Sequence, residues 1–225
     1  MHSKFKKTLV SSAVTGALLV GTAGFSTAQA ELEFNVGAFS DYILWGTSAS
    51  DNNAVVQGGI DYGHESGFYM GTWVSTLGDG DGQEVDLYAG YVFSAGEVEI
   101  DLGYLYYYYP ALDDFDYGDL FAQASFGPLY ASVNYALHAQ TSDYEGSLVF
   151  KFGGGVEVMP SITLNGELGY TDQQAIGENG EDVSWTFWSL GLTKSTNYGD
   201  ISLTYAQTDD SDLDPLFVAG YSISF

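Results

Sequence analysis

Apolar and polar residues alternate along most of the chain after residue 31, in short runs separated by turn-forming residues. A period of two places successive side chains on opposite faces, which is typical of a β-strand. In the run 98–109, one face carries Val, Ile and Leu followed by tyrosines, whereas the other begins with Glu99 and Asp101. No convincing helical period interrupts these runs. The pattern predicts twelve strands, at 32–40, 55–63, 67–76, 84–93, 98–109, 118–126, 129–139, 144–158, 161–171, 183–194, 200–207 and 216–225.

The connections between these strands alternate in length. Tight turns such as HESG, SAGE and FGP alternate with mostly longer polar loops such as PALDDFDYG and TDDSDLDP. The longer loops contain many of the chain's acidic residues. Short turns at one end and long loops at the other are typical of an outer-membrane barrel. The sequence therefore predicts an all-β fold: an antiparallel transmembrane β-barrel of about 12 strands, with short periplasmic turns and longer acidic extracellular loops.

The width of such a barrel decides which face meets water. Side chains can fill an eight-stranded barrel, but twelve strands enclose a wider interior that apolar groups would leave empty or wet. We therefore expect the apolar faces to meet lipid and the polar faces to line a hydrated lumen. Tyr106 and Tyr108 then belong to an outer aromatic girdle, and Tyr107 and Tyr109 face the lumen. The second pair either packs against neighbouring lumen side chains or forms a stacking platform for a ring-shaped solute.

The first thirty residues have the features of an export signal. Three lysines precede an apolar stretch that ends in Ala28-Gln29-Ala30, a small-x-small cleavage pattern. We expect residues 1–30 to be a secretory signal peptide and 31–225 to form one barrel domain in the outer membrane of a Gram-negative cell. Later in the chain no apolar stretch is long enough for a membrane helix.

Charge and cysteine content exclude several classes of protein. After the signal, the chain has two basic residues, Lys151 and Lys194, and 30 acidic residues, and it has no arginine. Such a surface repels a nucleic-acid backbone, so no nucleic-acid partner is expected. The absence of cysteine excludes a disulfide framework, so stability must come from packing and strand pairing.

The alternation also selects candidate pore-lining residues, which lie opposite an apolar stripe or in the inward tyrosine pair. Because most of these side chains are carboxylates, the predicted lumen attracts cations. The candidates are Glu84, Asp86, Glu99, Asp101, Tyr107, Tyr109, Glu145, Lys151, Glu157 and Glu167.

Other chemistry is weakly supported. The stretch 79–84, DGDGQE, begins like a calcium loop but lacks the bidentate glutamate that such a loop requires at its twelfth position. His64 lies in a short turn and His138 near the far end of a strand, where a lumen or loop position is expected, so the two do not share a site. No nucleophile stands in a recognisable motif beside a base. We expect no enzyme activity, no cofactor and no specific metal site.

Two stretches resemble known bacterial barrels. The end of the chain, LFVAGYSISF, looks like the terminal strand of outer-membrane barrels. That resemblance implies that Tyr221, Ile223 and Phe225 form an assembly signal read by the barrel-insertion machinery. Residues 39–75, followed by EVDLYAGY and IDLGYLYYYYP, are similar to the TorF family of porin-like proteins, the Gcw-type conserved bacterial barrels. Family members usually carry an arginine near the YILWG stretch, whereas here Trp45 is followed directly by Gly46.

Two functions remain open at this stage. The first is a porin-like channel for passive diffusion of small solutes, with cation preference from its acidic lumen. The alternative is a non-conducting structural or surface-interaction barrel whose acidic loops bind divalent cations or bridge to lipopolysaccharide. In both cases the partners include outer-membrane lipid and lipopolysaccharide.

Overall fold

The computed structural model describes residues 31–78, 80–141, 144–174 and 183–225. The predicted signal peptide lies outside these ranges, as does Asp79. Within them the chain is almost entirely β-strand. The strands are β1 (Glu31–Phe39), β2 (Ile43–Leu44), β3 (Thr47–Ser48), β4 (Val55–Gly63), β5 (Phe68–Thr76), β6 (Gln83–Ala95), β7 (Val98–Tyr108), β8 (Tyr117–Phe126), β9 (Leu129–Ala139), β10 (Leu148–Met159), β11 (Ile162–Gln173), β12 (Val183–Thr196), β13 (Gly199–Thr208) and β14 (Leu216–Ser224).

Twelve of these strands form a closed antiparallel barrel. From β4 onward each strand pairs with its neighbours in sequence, and β1 lies between β4 and β14. The closing pair includes Val36 opposite Ile223. Beyond that pairing, the backbone N–H of Phe34 donates to Phe225 O at 3.0 Å, and Phe225 N–H donates to Phe34 O at 2.9 Å. The predicted fold class is confirmed, and all twelve predicted strands are present. No helix in the described ranges is both long and apolar enough to cross a membrane.

The two ends of the barrel differ as the sequence predicted. The connections at 64–67, 96–97, 127–128, 160–161 and 197–198 are tight turns, and we call this the short-turn end. The connections after β1, β5, β7, β9, β11 and β13 begin at the opposite end, which we call the long-loop end; those described throughout are 40–54, 109–116 and 209–215. Both termini of the barrel lie at the short-turn end.

The outward face of the barrel is a broad apolar surface. Large apolar side chains there are exposed on nearly every strand, far beyond the small patches that a water-soluble monomer shows. Examples are Ile60, Val74, Leu87, Phe93, Leu102, Leu120, Phe150, Phe152, Leu168, Leu190, Leu203 and Phe217. An outward surface of this kind matches the hydrocarbon of a bilayer.

Three local predictions are wrong: the start of one strand, the pore-lining position of Glu145 and the position of His138. The strand predicted from 144 begins at Leu148, and Glu145 lies exposed in the loop before it. Gly146 in that loop has a positive φ of 94°, which breaks the extended backbone. His138 is on the outward face rather than in the lumen or a loop, because the β8–β9 register shifts near Gly118 and leaves Leu137 as an extra residue. The short strands β2 and β3 were not predicted at all.

Candidate functional site

The connection between β1 and β4 does not extend away from the barrel but folds into it. We call residues 40–54 the loop-1 hairpin, since β2 and β3 pair within it. Trp45 and Gly46 join the two short strands with φ values of 50° and 82°. Positive φ at both central residues is the signature of a type I′ turn, and glycine accepts it without strain. The sequence WG therefore builds the tip of this hairpin.

One side of the hairpin rests on an apolar area of the inner wall. Ile43 is only 6% exposed and forms a buried cluster with inward side chains of β13, β14 and the end of β1. We call these wall residues the apolar seat: Phe39, Ala206, Leu216 and Val218. Apolar groups that face a lumen would otherwise be wetted, and the hairpin removes them from water.

Hydrogen bonds also hold the hairpin, one to each of two facing walls. Tyr42, which is 3% exposed, donates its hydroxyl to Glu84 Oε1 on β6 at 2.7 Å. Trp185 on β12 donates its indole N–H to the carbonyl oxygen of Trp45 at 2.9 Å. Burial, followed by the charge of Glu84, raises the pKa of the Tyr42 hydroxyl well above its usual range, so it remains a donor. The hairpin thus crosses the lumen from β6 to the wall formed by β12–β14.

Internal hydrogen bonds give the hairpin its shape. The Asp41 carboxylate accepts from the hydroxyls of Ser48 and Ser50 at 2.6 and 2.8 Å. The Ser50 hydroxyl oxygen in turn accepts from the Tyr42 backbone N–H at 3.0 Å. Serine and aspartate favour such local bonds in turns. The stretch DYILWGTSAS therefore specifies a compact, pre-shaped element rather than a free loop.

Beneath the hairpin, the wall formed by β6–β8 combines carboxylates with stacked tyrosines. Glu84 Oε2 accepts a second hydroxyl, from Tyr109, at 2.6 Å. The rings of Tyr107 and Tyr117 stack at 4.2 Å. Asp86 on β6 and Asp119 on β8 are 1% and 2% exposed. These buried side chains and the hairpin together occupy part of the lumen in its long-loop half.

Many of the inward aromatic rings lie against the wall over a glycine of the adjacent strand. Several inward aromatic residues stand directly opposite a glycine on the next strand. Examples are Phe39–Gly220, Tyr69–Gly90, Tyr88–Gly71, Phe121–Gly103, Tyr130–Gly153 and Phe187–Gly169. A Cβ on Gly71 would lie 2.6 Å from the Tyr88 ring, so no larger residue fits under it. The rings therefore occupy wall area rather than lumen volume.

Three of these rings are tyrosines that extend over the glycine. The hydroxyl of each one reaches a carboxylate two strands away. Tyr69 donates its hydroxyl to Asp101 at 2.7 Å. Tyr88 donates to Asp61 and Tyr130 to Glu167 in the same way. We call each such set of tyrosine, glycine and carboxylate a brace. The braces supply hydrogen-bond donors to charges that would be costly to leave unpaired.

The predicted site residues take different positions. Glu84, Asp86, Asp101, Tyr107 and Tyr109 are buried on the inward face. Glu99, Lys151 and Glu167 are half-buried there. Glu157 is exposed at the short-turn end, where it accepts the Ser161 backbone N–H at 2.9 Å. These residues are spread along the lumen and do not form one ring.

Sequence reasoning missed Asp61 and Asp119, although their inward positions follow from the same alternation. Asp119 falls at the start of the predicted strand 118–126, in phase with Phe121 and Gln123. It also missed Tyr42 and Asp41, because loop residues carry no strand period. Among the described residues, no group of three or more His, Cys, Asp and Glu side chains is arranged to hold a metal ion.

The terminal residues lie on the outward face of the closing strand. Tyr221 and Ile223 are exposed there, and Phe225 is 74% exposed. The Phe225 ring stacks on that of Phe34 with ring centroids 6.0 Å apart. Backbone hydrogen bonds and ring stacking thus both connect Phe225 to β1.

Comparison with solved structures supports the architecture. The chain is similar to a structure titled "KdgM porin", with 8% identity and a TM-score of 0.57, over 86% of this chain and 98% of that one. It matches the "KdgM porin in complex with disordered oligogalacturonate" with 8% identity and a TM-score of 0.56, over 86% and 97% of the two chains. Identity this low establishes the fold alone. No curated protein matches the sequence.

A family model covers nearly the whole barrel, from residue 23 to residue 219. It matches well over half of the chain. The chain therefore belongs to the family described as "Bacterial protein of unknown function (Gcw_chp)".

Proposed function

We propose that this chain is an outer-membrane channel for the passive diffusion of small solutes, cation-preferring, with the loop-1 hairpin restricting its long-loop half. The observation that carries the proposal is the division of the barrel wall. The outward face is apolar, whereas the inward face holds carboxylates, tyrosines, threonines and serines. An apolar outside and a polar inside are the arrangement of a membrane barrel whose lumen meets water.

Charge supports the cation preference. Lys151 is the one basic inward side chain among the described residues, against carboxylates on β4, β6, β7, β8 and β11. A lumen with this balance lowers the energy of a cation and raises that of an anion. The solved porin complex with an oligogalacturonate, which is itself a carboxylate, therefore does not suggest the solute of this chain. Small cations or neutral solutes suit the wall better.

The filled long-loop half favours a second candidate. With Tyr42 and Ile43 buried against opposite walls, the hairpin closes much of the cross-section. A barrel closed permanently in this way would be a structural or surface-interaction protein. Its acidic loops would then meet divalent cations and lipopolysaccharide at the cell surface.

Planar-bilayer recording on two forms of the chain distinguishes these candidates. Phe39 pairs directly with Val55, so residues 40–54 can be replaced by a two-residue Asn-Gly turn without moving either strand. We expect a small cation-preferring conductance from the full chain and a several-fold larger one from the short-turn variant. Equal conductance from the two forms would show that the hairpin does not restrict the channel. No current from either form would reject the channel and leave the structural barrel.

The location and assembly route are part of the same proposal. The apolar outward face requires a bilayer, and the predicted signal peptide would deliver the chain to the periplasm. The barrel-insertion machinery would then recognise the last strand, with Tyr221, Ile223 and Phe225 on its outward face. Recovery of the protein in the soluble periplasmic fraction would contradict this route.

A further inference from the structure

The loop-1 hairpin docks on two neighbouring carboxyl groups that differ in their hydrogen bonds. Glu84 accepts two tyrosine hydroxyls, one from Tyr42 of the hairpin and one from Tyr109 at the end of β7. Hydroxyl donors stabilise an ionised carboxylate, so Glu84 can stay charged beneath the hairpin. Asp86 lies two residues further along the same face of β6 and is 1% exposed. Neither of its oxygens has a hydrogen-bond partner among the described residues.

Burial of this kind favours the neutral form of an aspartic acid. An ionised carboxylate that leaves water without donors or a counter-charge is so costly that the group binds a proton instead. The charge of Glu84 on the same face adds to this cost, because like charges repel. These conditions favour a protonated Asp86 beside an ionised Glu84 while the hairpin is docked.

The side chains that face this pair from the neighbouring strands offer no cation. They are Trp73 and Ser75 on β5, Tyr107 and Tyr109 on β7, and Asp119 on β8. The positive charge of Lys151 on β10 acts on Asp119 rather than on Asp86. On the hairpin, the Asp41 carboxylate is already held by two serine hydroxyls of the hairpin itself. A proton is therefore the remaining means of neutralising Asp86.

Tyr42 places the hairpin against both carboxyl groups. Its ring packs edge-on against Trp73 with ring centroids 5.5 Å apart, and Trp73 stands directly opposite Asp86. Burial, Glu84 and then Asp86 raise the pKa of the Tyr42 hydroxyl, so Asp86 lies within electrostatic range of the hairpin. When the hairpin leaves the wall, Glu84 loses one of its two donors and water can reach both groups. An aspartate in water is ionised above about pH 4.

We propose that docking of the loop-1 hairpin takes up one proton from solvent, which Asp86 holds, so that acid closes the channel and alkali opens it. The consequence for conductance rests on the proposed channel. The sign follows from linkage: the docked state binds one more proton than the undocked state, so a fall in pH favours the docked state. Undocking returns the proton to solvent and leaves Asp86 ionised in a hydrated lumen. The hairpin is then a pH-dependent gate rather than a fixed constriction.

Asparagine at position 86 provides the test, because it keeps the shape of the neutral acid but cannot ionise. Conductance of the full-length wild type in planar bilayers should fall between about pH 8 and about pH 5, as the docked-to-undocked ratio rises by up to about tenfold per pH unit. Asp86→Asn should conduct poorly at every pH. The matched control Asp101→Asn changes a lumen aspartate that Tyr69 holds, and it should keep the wild-type pH dependence. Replacement of residues 40–54 by the Asn-Gly turn should abolish that dependence.

Hydrogen exchange of the segment 40–54 gives a second readout that needs no current. Wild type and Asp86→Asn are compared at the same pH, so that the pH dependence of the exchange chemistry cancels. The wild type should exchange faster than the variant, by a factor that grows as pH rises.

The outcomes separate this inference from the proposed function. If Asp86→Asn conducts and exchanges like the wild type at each pH, or if acid opens the wild type, the proton-linked gate is overturned and the channel stands. No current from any form, including the one without the hairpin, rejects the channel, and the exchange comparison then decides whether docking is linked to a proton. Migration on an unboiled detergent gel verifies folding. Should Asp86→Asn not fold, Asp86→Ser, which also cannot ionise, takes its place.

Discussion

Removing the Ile43 side chain tests whether the hairpin is seated by apolar packing. In Ile43→Ala the apolar seat of Phe39, Ala206, Leu216 and Val218 loses its partner. Buried isoleucine-to-alanine changes cost about 2–5 kcal/mol. The barrel strands pair without Ile43, so the loss weakens the docking of the hairpin rather than the folding of the barrel.

The lower end of that range already predicts a large effect. A loss of about 2 kcal/mol multiplies the undocked population by roughly 30, since each 1.4 kcal/mol corresponds to a factor of ten. Hydrogen exchange of the segment 40–54, followed by mass spectrometry in detergent, reports this population directly. We expect amide exchange there to accelerate by about that factor, while the central barrel strands keep their protection.

Ile201→Ala is the matched control. It removes the same groups from the outward face of β13, where the side chain is 50% exposed and does not contact the hairpin. Exchange in 40–54 should be unchanged in this variant. The reasoning would be refuted if Ile43→Ala left exchange of the hairpin unaltered, or if it accelerated exchange equally throughout the barrel.

Three further predictions concern the wall, assembly and location. Gly71→Ala places a methyl group 2.6 Å from the Tyr88 ring, so we expect a loss of about 1–3 kcal/mol in thermal unfolding; Gly166→Ala, whose nearest contact is 3.8 Å, should cost much less, and equal losses would show that the rings do not need their glycines. Deleting Phe225 should cost about 2 kcal/mol or less in refolded protein, yet strongly reduce insertion in cells; equal losses in both assays would reduce this residue to ordinary packing. N-terminal sequencing of protein from the outer membrane should find Glu31 first, and another start would disprove the predicted cleavage site.

Alternation was enough to predict the barrel because each strand has one face towards lipid and one face towards the polar interior. The period of two fixes the face of each residue from sequence alone, and the sorting of turns and loops fixes the two ends. The same reasoning could not predict the loop-1 hairpin. Its position depends on an apolar seat contributed mostly by β13 and β14, more than 150 residues away along the chain, and on the Tyr42–Glu84 hydrogen bond across the lumen. His138 was misplaced for a related reason, since one extra residue in a bulge reverses the phase.

The opposed aromatic and glycine residues resolve a question that alternation leaves open. A slip of one residue between strands exchanges the two faces and is excluded by the pattern, but a slip of two residues keeps every face correct. On β5 and β6 the sequences Tyr69-Met70-Gly71 and Tyr88-Ala89-Gly90 run antiparallel, with each tyrosine opposite the other strand's glycine. A two-residue slip would bring the two rings directly opposite each other, or the two glycines, and would move both hydroxyls away from Asp101 and Asp61. Tyr69 and Tyr88 therefore each need a bare position on the adjacent strand, and together the two tyrosine–glycine pairs select a single register for β5 and β6.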